Sequence, residues 1–420
     1  MVEISAIPEE AKQGIEQLGT VDLVIGCLDQ KAVENVAGTV DAIRQGLSMV
    51  SNFGSAAVVL RRDSAETNSG GFQEGLENES LRLATFSLPS LDASVTGAAN
   101  IARAYRAIWN VSARLGARAC VVIASSVDTL TPQWIQALLQ PVLENDSDLV
   151  APCYAQHKFE GLLNTAILYP LTRAVYGKRI LNPLGPDFGL STRLFATLFQ
   201  VDSSRLKSAG AGQFVPIGAE ATAKGFRVCQ AYLGKRTYPP ADWKNVDSVL
   251  AEILGPVFFS MEQHAPFWQH IRFSEPVPTY GDAVPWIDES FAVDTRRLLE
   301  PFRLGFRNLQ EIWGLVLPPT ALFELKKADR LAPEQFHIPD ELWARIVYDF
   351  ALAYRLRTIA RDHLLRAMTP LYLGWLASYA LQVGTAGAAV DRRLEALCAA
   401  YENAKPYLVS RWRWPDRFNP

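Results

Sequence analysis

The run Cys120-Val121-Val122-Ile123-Ala124 ends in Ser125-Ser126-Val127-Asp128, and Pro132-Gln133-Trp134-Ile135 follows. A short apolar run reads as a buried strand, and the proline opens a helix, so residues 125–128 form a strand-to-helix turn at the carboxyl edge of a sheet. Ligands of open α/β sheets bind at that edge. The turn offers the hydroxyl of Ser126 and the carboxylate of Asp128, the kind of oxygen that a hard cation accepts. Lys235-Arg236 follows another apolar run, and an Arg fork matches phosphate geometry bidentately, so this pair is suited to holding phosphoryl oxygens. Asp187 stands between Gly and Phe in Gly185-Pro186-Asp187-Phe188-Gly189, which is not a generic loop composition. His157-Lys158 and Glu160 precede a long helical run and add a base, a cation and an acid.

Other chemistries lack their residues. A Ser-His-Asp triad cannot be read from five scattered histidines, and G-x-S-x-G is absent. Gly70-Gly71 ends no strand-to-helix phosphate motif, and no P-loop is present. His264 and His270 lie six apart around Pro266, which matches no metal spacing.

The elements that must position these residues fall into two halves. From Val21 to about Tyr232, apolar strands alternate with helical periods: VDLVIGCL, a helix near Ala32 to Met49, SAAVVLRR, LRLATFSL, a helix near Ala98 to Leu115, then ACVVIAS. That alternation predicts right-handed βαβ crossovers and a mostly parallel sheet, an α/β domain over 1–238. Pro239-Pro240 breaks the pattern. A helical domain is expected over 239–420, with long amphipathic periods at Val246 to Glu262, Asp294 to Leu315, Asp340 to Leu381 and Val390 to Ser410. The aromatic stripe Trp343, Tyr348, Phe350 and Tyr354, with Leu356, reads as core or as an oligomer seam. The tail RWRWPDRFNP is expected to pack back on the body or on a partner.

At 420 residues, 49% hydrophobic and 10% aromatic, the chain can build a substantial core. Its 41 Lys and Arg against 44 Asp and Glu give a net charge of −3, without the basic field of a nucleic-acid binder. Five cysteines without CxxC spacing read as buried thiols in a reducing compartment. No signal-type amino terminus and no long apolar run is present, so the expectation is a cytoplasmic protein without an integral membrane segment.

Four segments carry a resemblance: DLVIG (22–26), VDTLTPQWIQALLQPVL (127–143), KFEGLLNTAILYPLTRAVYGKRILNPLGPDFGLS (158–191) and AKGFRVCQAYLGK (223–235). On them the chain resembles the retaining GT-A glycosyltransferases of the mannosylglycerate synthase and glucosyl-phosphoglycerate synthase kind. The resemblance implies a GT-A domain with a mostly parallel sheet and a helical carboxyl-terminal region. It also implies transfer of a hexose from a nucleoside diphosphate sugar to a small polar acceptor. It places Asp29 and Asp63 at the nucleobase and ribose, Asp187 near the sugar and acceptor as the candidate catalytic residue, and His157 and Glu160 on the acceptor side.

The chain departs from that pattern where the family holds its cation. The Asp-x-Asp acids correspond to Ala124 and Ser126, the metal-binding His to Tyr238, a further acid to Phe214, and a Gly-Lys-Gly loop to Val95-Thr96-Gly97. A divalent cation, Mn²⁺ or Mg²⁺, would then require Asp128 to substitute. Otherwise Lys235 and Arg236 are expected to hold the diphosphate without metal. The alternative is a catalytically inactive pseudo-glycosyltransferase serving as a binding or scaffold subunit. In either case the chain is expected to form a homo-oligomer or to pair with a paralogue.

Overall fold

The computed structural model describes residues 19–29, 31–63, 81–88, 97–155, 157–200, 215–236, 246–283, 287, 293–383 and 387–415. The amino-terminal half builds a sheet with helices on both faces, and one short edge strand, at residues 279–280, joins it from the carboxyl-terminal half. Its strands are β1 (Leu23–Cys27), β2 (Ala56–Asp63), β3 (Leu81–Leu88), β4 (Ala119–Ile123), β5 (Leu149–Ala155), β6 (Phe188–Ser191), β7 (Val228–Lys235) and β8 (Thr279–Tyr280). They pair in the order β8-β7-β5-β6-β4-β1-β2-β3. All neighbours run parallel except β6, which is antiparallel to both β4 and β5.

β1, β4 and β5 are buried along their whole length, which is why they read as unbroken apolar runs: a parallel sheet is covered on both faces. Successive side chains go to opposite sides. Val24, Val59, Cys120 and Val122 pack under helix α2 (Gly97–Arg114) with Tyr105, Ile108 and Trp109. Leu23, Ile25, Val58, Val121 and Ile123 pack under α1 (Val36–Leu47) and α3 (Pro132–Leu143) with Ile43, Trp134 and Leu138. All five cysteines are buried and unbridged. Burial pushes the Cys120, Cys153 and Cys398 thiols up to about 12 and Cys229 to about 11, so they behave as small hydrophobes.

The glycines around Asp187 are there for close approach. A Cβ on Gly189 would lie 2.0 Å from the Leu138 carbonyl oxygen in α3, and one on Gly185 would lie 2.1 Å from Pro152 Cγ in β5. Only glycine lets β6 slip under α3 in this way.

The carboxyl-terminal half is helical. After α4 (Tyr169–Tyr176), α5 (Thr192–Gln200) and α6 (Ile217–Ala223) of the first half, it comprises α7 (Val246–Gln263), α8 (Thr295–Asn308), α9 (Gln310–Val316), α10 (Pro319–Asp329), α11 (Asp340–Leu356), α12 (Arg361–Gln382) and α13 (Gly387–Arg413), with a short helix at Ala265–Trp268. The period expected over Asp340 to Leu381 is two helices rather than one. The chain breaks at Arg357, which takes a left-handed conformation (φ 55°), and no glycine or proline stands there to signal it. The Asp294 to Leu315 period also divides, at Leu309. Trp343, Tyr348, Phe350 and Tyr354 are core, while Leu356 is exposed. Trp412 packs edge-on against Trp268 at 5.1 Å, so the start of the tail does return to the body. No helix among the described residues is long and apolar enough to cross a membrane.

The two halves are stapled through one helical run of the first. Asn164–Leu168 forms a π-turn ahead of Tyr169–Tyr176, and Pro170 lies within the run. Pro170 has no N–H to return to the Ala166 carbonyl. That oxygen instead accepts from Trp343 Nε1 at 2.9 Å and from the Tyr401 hydroxyl at 3.0 Å, both in the helical half. Further along the same run, the buried Arg173 binds Glu395 at 2.8 Å and Glu402 at 2.9 Å in α13.

Candidate functional site

Parallel strands end at the same edge, so the topology brings the candidate residues together. Asp29 follows β1, Asp63 closes β2, Ser126 and Asp128 follow β4, His157 and Glu160 follow β5, and Lys235 and Arg236 end β7. Asp187 immediately precedes β6, whose reversed direction brings its start to the same edge. β1 sits between β4 and β2. That is the crevice where strand connections part to either side, the place where α/β sheets bind ligands.

The β4 turn is held by carboxylates from its neighbours. Asp187 is fully buried. Its Oδ1 accepts from the Ala124 and Ser125 N–H groups at 2.8 and 2.9 Å. Its Oδ2 accepts from the hydroxyls of Ser125 and Tyr154. On the other side of the turn, Asp29 Oδ2 accepts from Val127 N–H at 2.9 Å. Three backbone N–H groups of residues 124–127 are thus bound by acids that come from other strands. Ser126 and Asp128 project within the turn itself, Ser126 Oγ lying 3.4 Å from Asp128 Oδ2, and Asp128 is exposed.

A cation is drawn toward this turn from three strands away, roughly 14 Å at the backbone given a spacing near 4.8 Å. The Arg236 guanidinium lies 5.2 Å from the centre of the Tyr154 ring, a cation–π placement. Tyr154 is the same side chain whose hydroxyl reaches Asp187, so Arg236, Tyr154, Asp187 and Ser125 form a continuous chain from β7 to the β4 turn. Tyr105 joins it from α2: its hydroxyl donates to the Pro186 carbonyl at 3.1 Å and its ring meets Phe188 edge-on at 5.0 Å. Burial raises the Tyr105 phenol far above its usual value, Asp187 adds to the rise, and Arg236 opposes it. Burial likewise pushes Cys27 up to about 12, with Asp187 and Asp29 adding to the rise.

His157 and Glu160 close a turn on themselves. His157 N–H donates to Glu160 Oε2 at 2.8 Å, and Glu160 N–H donates back to the His157 carbonyl at 2.8 Å. Nδ1 of His157 accepts from Phe159 N–H at 3.2 Å. The turn is tied to the helical half by the Tyr379 hydroxyl, which donates to the Lys158 carbonyl at 3.1 Å. Lys235 is exposed and Arg236 half-buried.

Asp63 is placed by its backbone alone, its side chain lying outside the described residues, as do Val95, Thr96, Phe214 and Tyr238. The sequence reading passed over Ser125, Tyr154 and Tyr105. A hydroxyl at the very end of β5 was the available signal for Tyr154. Tyr105 gave none, being one aromatic among the apolar residues of an amphipathic helix.

No protein-family model and no curated protein matches the chain. Solved structures do. Mannosyl-3-phosphoglycerate synthase from Rubrobacter xylanophilus is 17% identical, with a TM-score of 0.38 over 63% of this chain and 81% of that one. Glucosyl-3-phosphoglycerate synthase from Mycobacterium tuberculosis, in complex with Mn²⁺, uridine diphosphate and glucosyl-3-phosphoglycerate, is 15% identical, with a TM-score of 0.33 over 62% and 84%. A further structure of the Mycobacterium tuberculosis enzyme is 13% identical, with a TM-score of 0.31 over 69% and 94%. At these scores the overlap carries no functional inference.

Among the described residues, the edge presents no cluster of carboxylates arranged for a divalent cation. Mg²⁺ and Mn²⁺ take hard, anionic oxygens, whereas both oxygens of Asp187 and one of Asp29 are committed to the hydrogen bonds above. Asp128 remains the one carboxylate that the turn itself supplies, and among the described residues no group of three or more His, Cys, Asp or Glu is placed to ligate.

Proposed function

We propose that the carboxyl edge of the sheet binds a nucleoside diphosphate sugar and that the protein transfers its hexose to a small polar acceptor, with Lys235 and Arg236 holding the diphosphate in place of a metal. The observation that carries this reading is Arg236, stacked on Tyr154 and so turned back toward the β4 turn. Departure of a diphosphate builds negative charge on its oxygens, and a fixed guanidinium at that point stabilises the charge as it forms. Asp29 and Asp63 flank the nucleoside side of the crevice, with Ser126 and Asp128 at the turn between. His157 and Glu160 stand on the acceptor side. Asp187 is a positioning residue in this scheme: its four hydrogen bonds set the shape of the turn against which the donor lies.

One observation favours a second reading. Both acids that reach the turn from other strands, Asp187 and Asp29, hydrogen-bond its backbone and leave Asp128 as its own carboxylate, so the site can bind donor without catalysing transfer, as a pseudo-glycosyltransferase would. Release of nucleoside diphosphate from UDP- and GDP-hexoses, in EDTA and with glycerate or phosphoglycerate as acceptor, separates the two. Acceptor-dependent release that Arg236→Ala abolishes supports transfer. Donor binding without release supports the inactive form.

A further inference from the structure

The helical half contains a groove of about 1190 Å³ between α9 and the turn joining α11 to α12. Its apolar lining is formed by the half-buried Leu309, Ile312 and Ile359. Arg357, Arg361, His363 and Arg366 line the groove as well, with Asp362 as the single acid of the lining. Arg361 is the fixed member. Its guanidinium stacks 4.0 Å from the centre of the Tyr354 ring, donates to the Tyr354 carbonyl and pairs with Glu262 at 2.9 Å. Trp313 Nε1 donates to the Ala367 carbonyl at 2.9 Å and anchors α9 to the groove's floor.

The charges are unevenly answered. Glu262 answers Arg361, and Asp247 answers Arg366 across 3.3 Å of exposed surface. Arg357 and His363 line the groove with no ion partner among the described residues. Arg357 also occupies a left-handed position (φ 55°) at the end of α11, where glycine is the usual residue. A guanidinium stands where backbone preference asks for no side chain.

We infer that this groove binds a soluble small molecule that carries a phosphate or sulfonate-type anion beside an apolar portion, the anion at Arg357, His363 and Arg366 and the apolar part against Leu309 and Ile312. The inference does not depend on what the sheet edge binds. Guanidinium forks take tetrahedral oxyanions by paired hydrogen bonds, and the apolar lining gives the ligand its second half.

Anilinonaphthalene sulfonate has this chemistry and reports its own binding by fluorescence. Arg357→Gly is the informative variant, because it removes the charge while giving the left-handed position its preferred residue, so the protein remains folded. The dye binds the wild type saturably, about tenfold weaker to R357G, with a loss of similar size in R366Q. Hexyl phosphate displaces it and hexanol does not. Equal dye affinity in wild type and R357G would overturn the assignment. So would displacement by hexanol as readily as by hexyl phosphate, or displacement by phosphatidylglycerol vesicles alone, which would make this a membrane-facing patch.

Discussion

Replacing Asp187 by asparagine tests whether the β4 turn is held from below. The carboxylate has no exposed surface and accepts four hydrogen bonds, two from backbone N–H groups at 2.8 and 2.9 Å and two from hydroxyls. A hydrogen bond to a charged group contributes about 1.5–3 kcal/mol and a neutral one about 0.5–1.5. In D187N the amide oxygen keeps the two N–H donors without charge assistance, a loss of about 2 kcal/mol over the pair. The new NH₂ confronts two hydroxyls that must both turn round to accept, which adds about 1 kcal/mol more. D187N is therefore expected to lower unfolding free energy in urea by about 2–4 kcal/mol. D187A, which leaves four donors unanswered, is expected to lower it further. Tyr154→Phe removes one donor and costs about 1–2 kcal/mol, while keeping the ring beneath Arg236. A D187N protein within about 0.5 kcal/mol of wild type, the range of ordinary surface changes, would refute the claim that this carboxylate shapes the turn.

Other outcomes follow from single contacts. Gly189→Ala places a methyl 2.0 Å from the Leu138 carbonyl and is expected to destabilise by about 1–3 kcal/mol in urea as α3 and β6 separate. Gly314→Ala meets nothing within 4 Å and should cost no more than ordinary surface changes do. Arg173→Met leaves Glu395 and Glu402 facing a buried apolar chain. It should cost about 1–3 kcal/mol, the hydrogen bonds to charge lost with the carboxylates still reached by water, read as a lower denaturation midpoint. His264 lies 3.5 Å from Glu220. Burial lowers its pKa below 6.5, against the opposing pull of Glu220. A depressed histidine pKa means that the fold favours the neutral ring. Its contribution is present above pH 6.5 and is lost as pH falls through that value toward the folded pKa, so His264→Gln should flatten the acid limb of a midpoint-versus-pH curve.

Much of the α/β half could be read from the chain because its central strands are buried on both faces. LVIGC and ACVVI stand out as apolar runs for the same reason that they form strands. The edge was legible as well: once strands alternate with helices, residues that follow them must meet at one end. What the sequence concealed was the direction of hydrogen bonding there. Asp187 reads as an acid aimed at a ligand, yet its four partners are protein groups, two of them backbone N–H groups that no sequence pattern displays. The breaks at Arg357 and Leu309 were hidden for a related reason. Neither carries a glycine or proline, so tertiary packing, and not local propensity, decides where those helices stop.

The central claim is that the sheet edge binds a nucleoside diphosphate through Lys235 and Arg236 without help from a metal. Its most direct test is a thermal-shift titration of wild type and Arg236→Ala with UDP, GDP and their hexose conjugates, each in EDTA and in Mn²⁺. At about 100 times the dissociation constant a ligand adds roughly 2.7 kcal/mol to stability, enough to read as a clear rise in midpoint. The account predicts a rise in wild type that is equal in EDTA and in Mn²⁺ and is lost in R236A. A rise that appears only with Mn²⁺, or none with any nucleotide, would contradict it.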